Sequence, residues 1–265
     1  MKKKTVALLL SCVLIVGCVI GGSLAWLTAK SAEVKNVFTT SDINIELLEH
    51  NYDPETNTLK TSESDTPVTR ITNYKMVPGF TLPKDPWVTV KAGSEKCYVF
   101  VQANESGSCA VDTTAYDFDD FLKYAVDTTE GTGWIAGTGL NANKQVDYAH
   151  NGVPVGVYFR VVNEGTEDQK FDILGSGSWD SDDADNDADA SWSEKEVYVR
   201  WDVTKEMMNA MNESGAVKPT LTFTAYACQF YSSNAVPEDE TDAHYDEGGT
   251  KFTPAEAWDL VKPNS

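Results

Sequence analysis

Apolar and polar positions alternate along residues 43–47, where Ile43, Ile45 and Leu47 interleave with Asn44 and Glu46. Successive side chains of a strand point to opposite faces, so this period of two predicts a half-buried β-strand. The same reading predicts strands over residues 87–91, 97–103, 155–162, 170–174, 196–203 and 219–231, with a shorter one at 68–71. In the last long run Leu221, Phe223, Ala225 and Ala227 alternate with Thr222, Thr224, Tyr226 and Cys228. Helical spacing is rarer. Phe118, Phe121, Leu122 and Ala125 fall on one face if residues 117–126 are helical. Thr204 is placed to cap a short helix through Asn212, ended by Gly215, and Thr253-Pro254 opens a last one, since proline suits the first helical position. Residues 51–66 are polar and turn-rich and read as a loop. Pro78, Pro83 and Pro86 mark turns or sheet edges. Many short strands with few helices predict a mainly β protein built as a sandwich.

The amino terminus follows a different pattern. Lys2, Lys3 and Lys4 precede residues 6–27, which carry no charge. A basic start, an apolar middle and a small-residue exit describe a secretory signal peptide. Ser23 and Ala25 stand at the −3 and −1 positions, which places cleavage between Ala25 and Trp26. The expected organisation is a signal peptide at 1–25, an exposed segment at 26–42 and a single β-sandwich domain at 43–265. Two other readings stay open. The uncharged run is long enough to cross a bilayer as an uncleaved anchor. Ile15-Val16-Gly17-Cys18 also has the shape of a lipoprotein processing site, although residues 19–27 remain apolar where a lipidated start should turn polar.

The junction GGSLAWLT, followed by NVFTTSDINIELLE, carries a family resemblance. Four more blocks share it: MVPGFTLPKDPWVTV (76–90), SEKCYVFVQ (94–102), LTFTAYACQ (221–229) and AEAWDLV (255–261). Together they resemble the exported proteins cut by the SipW-type signal peptidase of Gram-positive bacteria, a group that includes TasA-type biofilm fibre subunits and camelysin-like surface proteins. The resemblance reaches both ends of the chain and leaves residues 112–193 unmatched. It implies a jelly-roll-like β-sandwich with decorating loops and short helices, secreted to the extracellular matrix or cell surface. It also implies a structural role, a homopolymeric fibre grown by donor-strand exchange. Residues 26–40 would then add as a strand to a neighbour's open sheet edge, with Trp26, Leu27, Val34, Val37 and Phe38 available to fill pockets. The implied partners are further copies of the chain, other matrix proteins or cell-wall polymers, and the signal peptidase during export. Camelysin-like relatives have been classed as metallopeptidases, so a secreted metallopeptidase is one alternative. A monomeric, calcium-dependent surface-binding module is another.

Charge narrows the partners. The 265 residues are 41% hydrophobic, enough for a real core, and carry a formal net charge of −20. Loss of Lys2, Lys3 and Lys4 with the leader makes the chain more acidic still. Nucleic acid is excluded, because phosphate binding needs a basic surface. Divalent cations are attracted instead. Within an acidic insert near residues 180–194, Asp183, Asp185 and Asp187 occupy positions 1, 3 and 5 of a calcium loop, Asp189 position 7 and Glu194 position 12. Ala188 stands where that pattern demands glycine, and the competing reading is a solvated acidic run. Calcium is the one cofactor the sequence suggests.

Catalytic signatures are scarce. His50, His150 and His244 lie far apart, and neither an H-E-x-x-H nor a G-x-S-x-G motif occurs. No catalytic residue is assigned. Once Cys12 and Cys18 leave with the signal, Cys97, Cys109 and Cys228 remain, an odd number that allows at most one internal disulfide. Cys97 and Cys228 sit on expected strands, where they can pack as small hydrophobes. Aromatics on expected strands, such as Trp87, Tyr158, Phe159 and Trp201, are assigned to the core. Trp179 and Trp192, which flank the acidic insert, are the candidates for surface contact.

Overall fold

The computed structural model describes residues 43–62, 65–69, 74–180, 190–231 and 251–263, all within the compact unit of residues 36–265. The fold is mainly β and sandwich-like, with few short helices. One sheet joins β1 (Ile45–Leu48), β5 (Trp87–Val90) and β11 (Gln169–Asp172) in that order, all antiparallel. Facing it is a larger antiparallel sheet in the order β15 (Val217–Gln229), β6 (Cys97–Val111), β10 (Val157–Val162) and β9 (Ile135–Ala136). β7 (Thr114–Asp117) folds back on the distal end of β6. A third sheet orders β4 (Thr81–Pro83), β14 (Glu196–Val199) and β8 (Leu122–Lys123). Two hairpins complete the strands, β2 (Asn51–Asp53) with β3 (Thr58–Lys60) and β12 (Gly177–Trp179) with β13 (Ala190–Trp192).

Alternation along β6 explains the layering. Cys97, Val99 and Val101 point into the sandwich, where they meet Val88 and Val90 of β5 and Ile43 and Ile45 at the start of β1. Tyr98 and Phe100 point the other way, onto Phe159, Tyr226 and the helix α2 (Pro254–Val261). Phe100 and Trp258 lie 5.4 Å apart between ring centroids, and the Tyr98 hydroxyl donates to the Phe252 carbonyl at 2.8 Å. β6 is therefore covered on both faces, which is why CYVFV reads as an unbroken apolar run. β5 is also buried throughout. Its outward Trp87 is covered by the Lys170 ammonium, 3.7 Å from the ring centroid, and by the His50 ring at 4.8 Å.

The two α-helices arise where their caps predict. Thr253 receives the Glu256 amide while the Glu256 carboxylate receives the Thr253 amide at 2.8 Å, and Pro254 needs no donor at the first helical position. Thr204 caps α1 (Lys205–Ala210), whose Met207 and Ala210 enter a second core cluster with Phe121, Val197 and Val199.

Residues 117–126 do not form the expected helix. Phe118–Asp120 makes one 3-10 turn, boxed between Asp117 and Asp120. The chain then extends so that Leu122 and Lys123 pair with Val199 and Tyr198. Helix nucleation is costly, and here the same apolar side chains are buried by pairing with β14 instead. Residues 51–66 likewise contain a hairpin rather than loop alone. Its turn places Asn57 at φ 54, a left-handed conformation that asparagine tolerates.

The three cysteines among the described residues, Cys97, Cys109 and Cys228, are buried and free. Cys97 lies opposite Gln229, so Cys228 is one position away and faces the other side of the sheet. That geometry explains why these neighbours do not bridge. Burial first, then the Cys228 thiol, pushes the Cys97 thiol up to about 12, and burial pushes Cys228 up to about 11. Thiols shifted that far carry roughly two to three orders of magnitude less thiolate at neutral pH. Thiol reagents should therefore leave both residues unmodified in the native protein and label them at once in urea. Stoichiometric labelling without denaturant would show that these strands open readily.

Candidate assembly groove

The open edges of the two facing sheets converge. Among the described residues, β1 pairs only with β5 and β15 only with β6. Between them runs a groove of about 460 Å³. Leu47 and Leu48 form one wall and Leu221 and Phe223 the other, with Leu82 and Val197 from β4 and β14 beneath. Met208 and Met211 reach in from α1, and Met76 from the segment before β4.

Both edges have defined limits. At Glu49 the β1 edge is taken up by reciprocal backbone bonds with Val68, each 2.8 Å. On β15 the ladder register breaks between Val217 and Thr220, around Pro219, which has no backbone donor. From Thr220 onward the strand is regular. Its inward side chains Leu221 and Phe223 are half-buried, as expected where an apolar surface lacks its last neighbour.

One end of the groove is polar and buried. Lys84 (9% exposed) and Glu49 (6% exposed) form an ion pair at 2.6 Å. Alongside, Asp85 takes the His50 backbone amide at 3.0 Å and the His50 ring at 2.6 Å. The Lys84-Asp85-Pro86 turn thus fixes the end of β1 through adjacent residues. Tyr74, also on the groove, packs its ring 4.5 Å from that of Tyr52. Burial first, and then the carboxylates of Glu49 and Asp85, push its hydroxyl far above the ordinary tyrosine range, so the ring stays neutral.

The residues expected to act lie mostly elsewhere. Ala25, Trp26, Leu27, Val34, Val37 and Phe38 lie outside the described residues, as do Asp183, Asp185, Asp187 and Asp189. Glu194 is exposed in the turn between β13 and β14, with the whole of β13 separating it from residues 181–189. Of the histidines, His50 is held by Asp85 and His150 by Asp147, and His244 is outside the described residues. Among the described residues no group of three or more His, Cys, Asp or Glu side chains is placed to hold a metal ion.

The aromatic assignment needs correction. Trp192 is buried, stacked on Tyr198 at 5.8 Å, because β13 folds its inward face over the third sheet. Trp201, assigned to a strand core, is 39% exposed, since β14 ends at Val199 and the chain turns. Trp179 is half-buried, with the Arg200 guanidinium 4.6 Å from its ring centroid.

Comparison with family models, curated proteins and solved structures gives no match to this chain.

Proposed function

We propose that this chain is an exported structural subunit that polymerises by donor-strand exchange, with residues 26–40 of one copy entering the groove of the next. The observation that carries the reading is a largely apolar groove flanked by two strand edges that are unpaired among the described residues. An incoming extended segment gains backbone hydrogen bonds along an edge and buries alternate side chains in the pocket. Each Val, Leu or Phe side chain so buried contributes about 1.5–3 kcal/mol. Val34, Val37 and Phe38 provide such groups next to the start of the sandwich domain at Ile43. Head-to-tail insertion does not close on itself, so it extends into a filament.

Leu221→Lys tests the acceptor side. The side chain is half-buried at the groove wall, so a lysine there can reach solvent in the monomer and keep the fold. In the polymer its charge is trapped against an apolar segment, which should raise the concentration needed for assembly by at least about a hundredfold. Light scattering and electron microscopy read assembly, with circular dichroism as the folding control. Unchanged filaments from a folded Leu221→Lys protein would place the contact elsewhere.

A further inference from the structure

Apart from Met1, the methionines of this chain are Met76, Met207, Met208 and Met211; Met207 and Met211 belong to the core cluster beneath the groove, and Met76 and Met208 pack against it. Their environments differ. Met207 is 6% exposed, and its sulfur accepts the Thr204 amide at 3.5 Å. Met211 is buried too, although it reaches the groove surface. Met76 and Met208 are half-buried and line the groove from different segments. Methionine fills such surfaces well because it is flexible and polarizable, but its thioether is readily oxidised where reagents can reach it.

We infer that Met76 and Met208 are oxidation sites that switch the groove off. The oxidant is a peroxide or hypohalous acid, met by a protein outside the reducing cytosol. The sulfur lone pair attacks the hydroxyl oxygen, an S–O bond forms and the O–O or O–halogen bond breaks. Sulfur is oxidised by two electrons to the sulfoxide; the hydroxyl proton passes to the departing oxygen, which leaves as water or alcohol, or goes to solvent as halide departs. The product carries a strong S–O dipole on an apolar wall, where an incoming segment would have to desolvate it without a partner. Regulation of assembly in this way rests on the donor-strand reading above; the oxidation pattern does not.

Mature protein treated with dilute hydrogen peroxide and mapped by peptide mass spectrometry should gain about 16 Da at Met76 and at Met208. Both should react at least about tenfold faster than Met207, whose sulfur is engaged and enclosed. In preformed filaments the two should be protected, because the inserted segment covers them. Oxidised monomer should keep its circular dichroism spectrum and need at least about tenfold more protein to assemble, and methionine sulfoxide reductase should reverse the defect. In the Met76→Leu/Met208→Leu protein, whatever its own assembly concentration, peroxide should cause no further change, because the oxidisable sulfurs of the groove wall are gone. Equal reactivity of all four methionines would overturn the site assignment, and undiminished assembly of oxidised parent protein would overturn the switch. If untreated parent protein forms no polymer, the donor-strand reading fails and the switch with it, whereas the mass pattern still decides which sulfurs are oxidised.

Discussion

Replacing Lys84 with methionine should lower the free energy of unfolding by about 3–5 kcal/mol. The loss exceeds what an exposed ion pair is worth, which is about 0–1 kcal/mol, because both partners are almost wholly enclosed. Methionine keeps most of the volume but leaves the Glu49 carboxylate buried without its cation. No other cation bridges Glu49 among the described residues. The converse change, Glu49→Leu, strands the ammonium in the same way. Joining the two changes should recover most of the loss, since a well-packed apolar pair is often as stable as the ion pair it replaces. Urea denaturation of the parent, both single variants and the double variant gives the coupling directly. Added salt should change that coupling little, because a buried pair is poorly screened. Additive losses would mean that the two side chains do not depend on one another.

The same pair shows what a linear reading of the chain can reach. Strands at 87–90, 97–103 and 157–162 were legible because alternating or continuous apolar runs report on burial of each face. Both α-helices were legible from their caps, Thr204 and Thr253, which act locally. Residues 117–126 were misleading because Phe118, Phe121 and Leu122 satisfy helical spacing and a turn-plus-strand equally well. Only β14, arriving from nearly eighty positions later, decides between them.

The groove was not legible at all. Leu47, Leu82, Met208 and Leu221 come from four distant segments, and no spacing along the chain links them. Lys84 facing Glu49, or Asp85 facing His50, is a consequence of sheet topology rather than of any motif. Trp192 and Trp201 were exchanged between core and surface because a hairpin closing over a third sheet cannot be read from composition. What the sequence did supply was the proposed donor, a segment before Ile43 with scattered apolar side chains and two lysines against one glutamate. The proposed donor and acceptor thus come from different kinds of observation, which allows them to be separated in experiment.

Two defective chains should together make a complex that neither makes alone. A chain lacking residues 26–36 keeps its groove but has lost most of its donor. A Leu221→Lys chain keeps its donor but has a blocked groove. Each by itself should remain monomeric. Mixed, they should form a one-to-one heterodimer and stop, since the only intact donor fills the only intact groove and no further pairing is available. Added to parent protein in small amounts, each should shorten filaments by terminating one end: the truncated chain caps the end that presents a free donor, and the Leu221→Lys chain caps the end that presents an open groove. For the truncated chain the expected suppression is large, because loss of three apolar side chains, Trp26, Leu27 and Val34, removes about 5–9 kcal/mol of contact before any lost hydrogen bonds are counted. Analytical ultracentrifugation of the mixture reads the stoichiometry, and electron microscopy reads filament length. Both chains should retain the parent's circular dichroism, as the deletion ends before Ile45, where the first strand among the described residues begins, and a lysine at the half-buried position 221 can reach solvent. A mixture that stays monomeric while parent protein polymerises would mean that the segment and the groove are not partners. Filaments from the truncated chain alone would mean that subunits join through another surface.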